Sequence, residues 1–408
     1  MSPDDLQLKS WQRWSLLAVL VGLTLCAVLT WGNPDRLWRA YLFAFLVCWL
    51  VSVGGMGLLA IGNLTGGRWA AAARPFYLAE MQTLPLMAIL FIPVAHCVER
   101  IFPWAAHRTD LSFPPGKAAY LSDTFFCWRA AGYFAVWLLL ARLLARVSRV
   151  DQPPATTPGM RRIGALSLVL LAPTSTFAAF DWGMSLEPLW YSSIYGAMLS
   201  ASGVLAAQGL AICGLATSRG LGGSAIREAI EEGGVEESPA TVSERSLPST
   251  PAHSLFEERA ADIFNDLGNL LLAFLMVFTY FAFSQFLIIW SGNLPTEITW
   301  YQQRLSHGWQ WVALAIVVLM FFMPFSMLLS RDLKRTPRRL SGIAAMLVAM
   351  HALHTYWTIV PAFDDTGFGW QLTNLAALSA MAGSWMAAML WHANRNLPLL
   401  LPTQLDHQ

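Results

Sequence analysis

Ten long stretches of this chain run almost without charge: 14–31, 38–62, 79–98, 124–146, 162–180, 190–216, 267–291, 308–329, 340–361 and 371–392. A helix that crosses a bilayer needs about 20 mostly apolar residues, and a soluble fold has no use for so many runs of that length. Turn-forming residues fall between the runs, at Gly32-Asn33-Pro34, Gly66-Gly67, Phe113-Pro114-Pro115-Gly116, Pro153-Pro154 and Gly292-Asn293-Leu294-Pro295. The reading is an all-α membrane protein with ten transmembrane helices.

Composition closes off the alternatives. Of 408 residues 56% are hydrophobic and 12% charged, against roughly 25% charged in soluble domains. That is too little charge to cover a water-soluble surface, which excludes a soluble enzyme or binding module. The formal net charge of +1 supplies no field to hold nucleic acid. Cys26, Cys48, Cys97, Cys127 and Cys213 each sit in or at the edge of an apolar run, with no C-x-x-C among them. Iron–sulfur, zinc and covalent haem sites need clustered ligands, so this chain is expected to bind no metal, and the cysteines read as packing residues. The first run follows Lys9 and Arg13 and lacks a small-residue cleavage site, so it is expected to stay as an anchor.

Orientation follows from the basic residues. Four of the 26 Lys and Arg lie in the long loop after the sixth run; the others divide fifteen against seven if the N-terminus lies inside. That predicts both termini in the cytoplasm. The long loop, 218–262, is rich in Glu, Gly, Ser and Pro; it is expected to be an acidic, mobile cytoplasmic linker. The predicted divisions are 1–37 (N-terminal segment and first helix), 38–217 (first membrane bundle and start of a second), the linker, 263–361 (the rest of the second bundle) and 362–408 (last helix and tail).

Ionisable groups at membrane depth are costly and point to function. His351 and His354 lie three apart, on one helix face, and Asp364 and Asp365 follow just beyond. Histidine titrates near neutrality, so a proton path along this face is one reading; two histidines bonded to neighbouring helices is the other. A haem would need His96 or His307 to face them. Glu80 and Asp266 open the third and seventh runs, where the helix dipole favours an acid as a cap and proton uptake is the alternative. Tyr280, Ser284, Gln285 and Gln208 are neutral polar groups that join helices or line water chains. His96, Glu99, Asp123 and Arg129 gather near the ends of the third and fourth runs, as a quinone head group or an interfacial ion-pair set would require. The connection Phe180–Tyr191, with Asp181, Trp182, Glu187 and Trp190, is aromatic throughout. It is expected to lie along the membrane surface as a partner-docking patch.

Several strings together resemble one family. They are Tyr41-Leu-Phe-Ala-Phe45, Leu64-Thr-Gly-Gly-Arg-Trp69, Phe102-Pro-Trp104, Phe180-Asp-Trp-Gly-Met-Ser-Leu-Glu-Pro188, Phe283-Ser-Gln-Phe-Leu-Ile-Ile-Trp-Ser-Gly-Asn293, His307-Gly-Trp-Gln-Trp311 and Leu329-Ser-Arg-Asp-Leu-Lys334. In that order, over about residues 38–363, the chain resembles the second NrfD-like (polysulfide-reductase-type) integral membrane subunit of alternative complex III, a bacterial quinol:cytochrome c oxidoreductase. The resemblance implies two four-helix bundles, formed by helices two to five and six to nine, with the first and last helices outside. It implies a bacterial inner membrane and partners carrying haem c and iron–sulfur centres. A related quinol-binding membrane subunit is implied as well. This subunit would hold no redox centre, with quinone the one cofactor implied by analogy, and would act as scaffold and proton pathway. One departure stands out: an acid is expected ahead of the Tyr-Trp pair of the ninth helix, and this chain has His354-Thr-Tyr-Trp357. A stand-alone secondary transporter or ion channel remains the alternative, disfavoured by prolines that fall without a matched pair in the two halves.

Overall fold

The computed structural model describes residues 3–31, 34–106, 113–148, 157–217, 252–363, 368 and 371–396. Among these all regular structure is helical. Among the described residues nine helices are long and apolar enough to cross a membrane, counting a broken helix as one. The long elements, in chain order, are α1 (Pro3–Leu29), α2 (Pro34–Thr65), α3 (Arg68–Met81), α4 (Leu84–His96), α5 (Asp123–Val147), α6 (Pro158–Trp182), α7 (Tyr195–Thr217) and α8 (Ala252–Gly292). They continue with α9 (Pro295–Arg304), α10 (Trp309–Ile316), α11 (Met323–Leu328), α12 (Pro337–Ile359) and α13 (Leu372–Asn396). The acids Asp364 and Asp365, and most of the expected linker, lie outside the described residues.

The breaks follow local chemistry. Pro34, Pro158, Pro295 and Pro337 each stand at the first turn of their helix, where a missing N–H costs nothing. Gly66 and Gly67 end α2 at φ of 68° and 99°, a left-handed backbone that favours glycine. Pro85, at the start of α4, cannot donate to the preceding turn, and α3 and α4 part there at Gln82-Thr83. Between α10 and α11 the chain widens into a π-helical turn, Val317–Phe322, just ahead of Pro324.

Helix α2 is the axis. Its apolar stretch is fully buried, as expected of a helix apolar on every side, and it packs against α3, α4, α6, α7, α12 and α13. Helix α7 packs in turn against α2, α3, α6, α8 and α12. The two cross with backbones almost touching: a Cβ at Gly54 would lie 2.5 Å from the carbonyl oxygen of Gly203. Small residues allow such approaches between membrane helices.

Helix α1 lies at the other extreme, with only 11% of its apolar stretch buried; its main contact is α13. The tenth predicted segment does fold as that helix, but it is not among the nine most apolar. Wedged between α1 and the pair α2 and α3, α13 faces protein rather than lipid. It carries polar groups with partners there: Ser379 Oγ donates to the Ala18 carbonyl at 3.1 Å, and Trp385 Nε1 to Ser52 Oγ at 2.8 Å.

Candidate functional sites along the helix interfaces

Two ends can be told apart. At the basic end Arg335 pairs with Asp262 at 3.3 Å and Lys334 donates to Asn269 Oδ1 at 2.6 Å. At the other, aromatic end, two guanidinium groups are locked onto one connection. Asp181, in the last turn of α6, accepts from Arg129 Nε at 2.8 Å and Nη2 at 3.0 Å, and from the hydroxyls of Tyr120 and Tyr133 at 2.9 Å each. Four donors fill the carboxylate. Arg129 also donates to the Tyr120 carbonyl at 2.7 Å, and its guanidinium lies 3.8 Å from the centre of the Tyr120 ring. Burial and the Asp181 carboxylate hold the Tyr120 hydroxyl well above its usual range. Burial draws Lys117 downward; its ammonium donates to the Pro188 carbonyl.

Six residues on, Glu187 holds Arg304 of α9 at 2.7 and 3.2 Å. Arg304 is fully buried, lies 3.8 Å from the Trp300 ring centre, and donates to the Thr358 carbonyl at 2.7 Å. Trp190 stacks on Trp300 with centroids 4.9 Å apart, and its Nε1 donates to the Glu297 carbonyl at 3.1 Å. The connection therefore turns inward. Asp181 and Trp182 are buried, with Trp182 packed among Phe45, Trp49, Phe91 and Phe134. The expected docking patch is corrected on these residues: Asp181, Trp182 and Trp190 face protein, Glu187 is largely covered, and Leu189 and Tyr191 keep the exposure. Trp and Tyr favour the headgroup layer only when nothing larger covers them, and here the other helices do.

A buried polar stripe follows one face of α12. His351, His354, Thr355 and Thr358 recur at helical spacing and are all buried. His351 Nε2 lies 3.2 Å from the Val47 carbonyl of α2, and Nδ1 lies 2.7 Å from Ser202 Oγ of α7. A carbonyl can only accept, so Nε2 carries a proton; in a neutral ring Nδ1 then accepts from the Ser202 hydroxyl, and in a protonated ring it donates to it. His354 meets the edge of Phe278, and its Nδ1 has no hydrogen-bond partner. Thr358 Oγ1 donates to the His354 carbonyl at 2.8 Å, and the Thr358 carbonyl meets Arg304. The stripe thus leads to the Arg304–Glu187 pair. Neither His96 nor His307 faces these histidines; both are exposed, at the ends of other elements.

Glu80 occupies a second buried position. The third predicted run starts eleven residues earlier than expected, at Arg68, so Glu80 does not cap a helix. It lies in the last turn of α3, just before the break, with no exposure, and neither carboxyl oxygen has a hydrogen-bond partner. Tyr77, one turn earlier on the same face, donates to Gln208 Oε1 of α7. Gln208 Nε2 donates to the Leu267 carbonyl of α8 at 3.2 Å. At the break, Thr83 Oγ1 bonds the Glu80 carbonyl at 2.6 Å and Ser52 Oγ at 2.7 Å.

The remaining predicted residues fall apart. Helix α8 starts well before Asp266, so that acid caps nothing either; it is half-buried within the helix. Tyr280 is 67% exposed and belongs to neither interior site. Gln285 is buried, accepting from Ser192 Oγ at 3.1 Å. The four quinone candidates do not converge: His96 and Glu99 are exposed, Asp123 sits in the first turn of α5, and Arg129 belongs to Asp181. Tyr120, Tyr133, Tyr77 and Ser202 were missed by sequence reasoning. Tyr77 alone had a signal, its three-residue spacing from Glu80. Among the described residues no three His, Cys, Asp or Glu side chains gather as a metal site would require.

Fold and sites define an all-α membrane protein with buried titratable groups between its central helices. Compared with known proteins, the chain matches no family model and no curated sequence.

Proposed function

We propose that this chain is a multi-pass subunit of a quinol:cytochrome c oxidoreductase of the alternative complex III type, without a redox centre of its own. It serves as scaffold and proton pathway in a bacterial inner membrane, with ten crossings and both termini cytoplasmic. The basic end then faces the cytoplasm, and the aromatic end faces the haem c and iron–sulfur subunits and the related quinol-binding subunit. In support of two bundles flanked by α1 and α13, α2, α4, α5 and α6 pack around one another and α7, α8 and α12 do likewise, with α2 and α7 in close contact between the two groups.

The observation that carries this reading is the line of buried titratable and hydroxyl groups along α2, α7 and α12. Buried polar groups at membrane depth are expensive unless they serve a purpose. Glu80 adjoins Gly55 of α2, and His351 bonds Val47, eight residues away, or about 12 Å at 1.5 Å per residue. That gap is too long for one direct transfer and short enough for a few bridging waters. From His351 the stripe continues through His354 and Thr358 to the Arg304–Glu187 pair.

The test is purification of the tagged native chain in mild detergent, with a visible spectrum and mass identification of co-purifying polypeptides. Haem c and iron–sulfur subunits are expected; a colourless chain that purifies alone refutes complex membership. A second reading, a stand-alone transporter or channel, draws on the break in the third crossing beside Glu80, since broken helices commonly line transport sites. Solute or ion flux by the chain alone in vesicles would favour it.

A further inference from the structure

At the aromatic end, the last turns of α8 and the helix α9 enclose a half-open groove of about 620 Å3, inside the size range of small-molecule sites. One wall is aromatic, with Phe286 and Trp290 from α8, and the floor is polar, with Thr299, Tyr301, Gln302 and Gln303 from α9. No Asp, Glu, Lys, Arg or His lines it among the described residues. A phosphate would find no cation here, and an ammonium would find no carboxylate.

The floor offers both halves of a hydrogen bond. Thr299 Oγ1 donates to the Thr296 carbonyl at 3.1 Å, and its oxygen can still accept. Gln303 Nε2 donates to the Pro361 carbonyl at 2.6 Å, which leaves one N–H to donate and the amide oxygen to accept. The Tyr301 oxygen accepts from Gln285 Nε2 at 3.5 Å and keeps its own proton to donate. Burial pushes that hydroxyl up to about 12, so it stays protonated at physiological pH. Gln302 is exposed, and its amide brings a further donor and acceptor. A ligand with carbonyl or ether oxygens only accepts, and would leave the acceptors of Thr299, Gln302 and Gln303 unanswered. Hydroxyl groups do both, so several of them on one small uncharged ring match this floor.

Trp290 sets the orientation. It is 64% exposed and belongs to two surfaces. Inside the groove its indole gives a flat apolar face, on which the C–H face of a sugar ring can pack. On the outside of α8 it ends a strip with Phe283 and Leu287, spaced i, i+4 and i+7, which are 59% and 43% exposed and meet acyl chains in a membrane. A molecule whose head fills the groove therefore has a place for its tail directly beside it, along α8 toward the bilayer interior.

We infer that this groove binds an uncharged glycosyl lipid, with the sugar hydroxyls on the α9 floor and an acyl chain along Phe283 and Leu287. The inference does not rest on membership of the redox complex, because every group it uses belongs to this chain.

The full-length chain, prepared without sugar-headed detergent, is placed in nanodiscs of dioleoylphosphatidylcholine. It is dialysed to equilibrium against tritiated octyl β-glucoside below its micelle-forming concentration, with empty nanodiscs as the partition background. Saturable binding above that background is expected. Gln302→Leu removes a donor and an acceptor, and should weaken binding about fivefold. Trp290→Leu keeps apolar bulk and removes the flat face, with a loss of similar size. Both side chains are exposed, so both variants should fold, which gel filtration checks. Absence of saturable binding to the wild-type chain overturns the inference, as does unchanged affinity in either variant. Octanol has the tail without the head and glucose the head without the tail; displacement of the probe by either at equal concentration overturns it as well.

Discussion

Replacing Glu80 with methionine should make the protein more stable. Both carboxyl oxygens are buried without a hydrogen-bond partner, and the side chain abuts the backbone of α2, where a Cβ at Gly55 would fall 2.6 Å from Glu80 Cβ. A buried polar group without a partner costs about 1–3 kcal/mol. Methionine is similar in length, unbranched and apolar, so it fills the same space. Glu80→Met should therefore stabilise by about 1–3 kcal/mol. Glu80→Gln keeps a polar group with the same deficit and should stay within about 0.5 kcal/mol of wild type. Denaturant unfolding in detergent, followed by a thiol-reactive fluorophore at Cys48, which is 3% exposed, reads the difference directly. If Glu80 carries protons, the stabilised variant loses proton uptake, a trade of function against stability. Destabilisation by more than about 1 kcal/mol would refute the reasoning, because it would mean that the carboxyl has a partner in the folded protein.

Other outcomes can be checked in the same assay. Arg304→Met leaves Glu187 without its cation in a largely covered site, and should destabilise by about 3–5 kcal/mol; Arg304→Met with Glu187→Met should recover part of that loss in a double-mutant cycle. Gly54→Ala forces α2 away from α7 and should cost about 1–3 kcal/mol, with a matching loss of the His351 contact to Val47, visible as a shift in its ring NMR resonances. Replacing His351 and His354 together with Gln should lower proton uptake by the active complex while assembly, judged by gel filtration, persists; an unchanged proton stoichiometry would sink the pathway.

The positions of the apolar helices were legible because lipid leaves one solution for a long uncharged run. What failed was the inner boundary of a helix. Residues 68–78 hold Arg68, Arg74 and Pro75, which read as a loop; in the fold Arg74 is 9% exposed and α3 runs through it, because neighbouring helices replace the water that the charge would otherwise need. That moved Glu80 from a helix start to a helix interior. The same cause misplaced the docking patch. Aromatic composition says that a segment prefers an interface, but only the pairing of Trp190 with Trp300, 110 residues on, shows that the interface is internal. The stripe on α12 was half legible. Two histidines three apart share a face, yet Ser202 and Val47, which fix the first, come from helices whose nearness no local pattern announces.

The two arginine clamps also order events in time. Asp181 meets Arg129, made before it, so the first clamp can close as soon as α6 leaves the ribosome. Glu187 must wait for Arg304, 117 residues later, or about 6–23 s at synthesis rates of 5–20 residues per second. During that interval a carboxylate and an unfilled seat for Trp300 sit at the edge of the half-built protein. A chain that stops short of α9 therefore leaves Glu187 without its cation and Trp190 without its stacking partner.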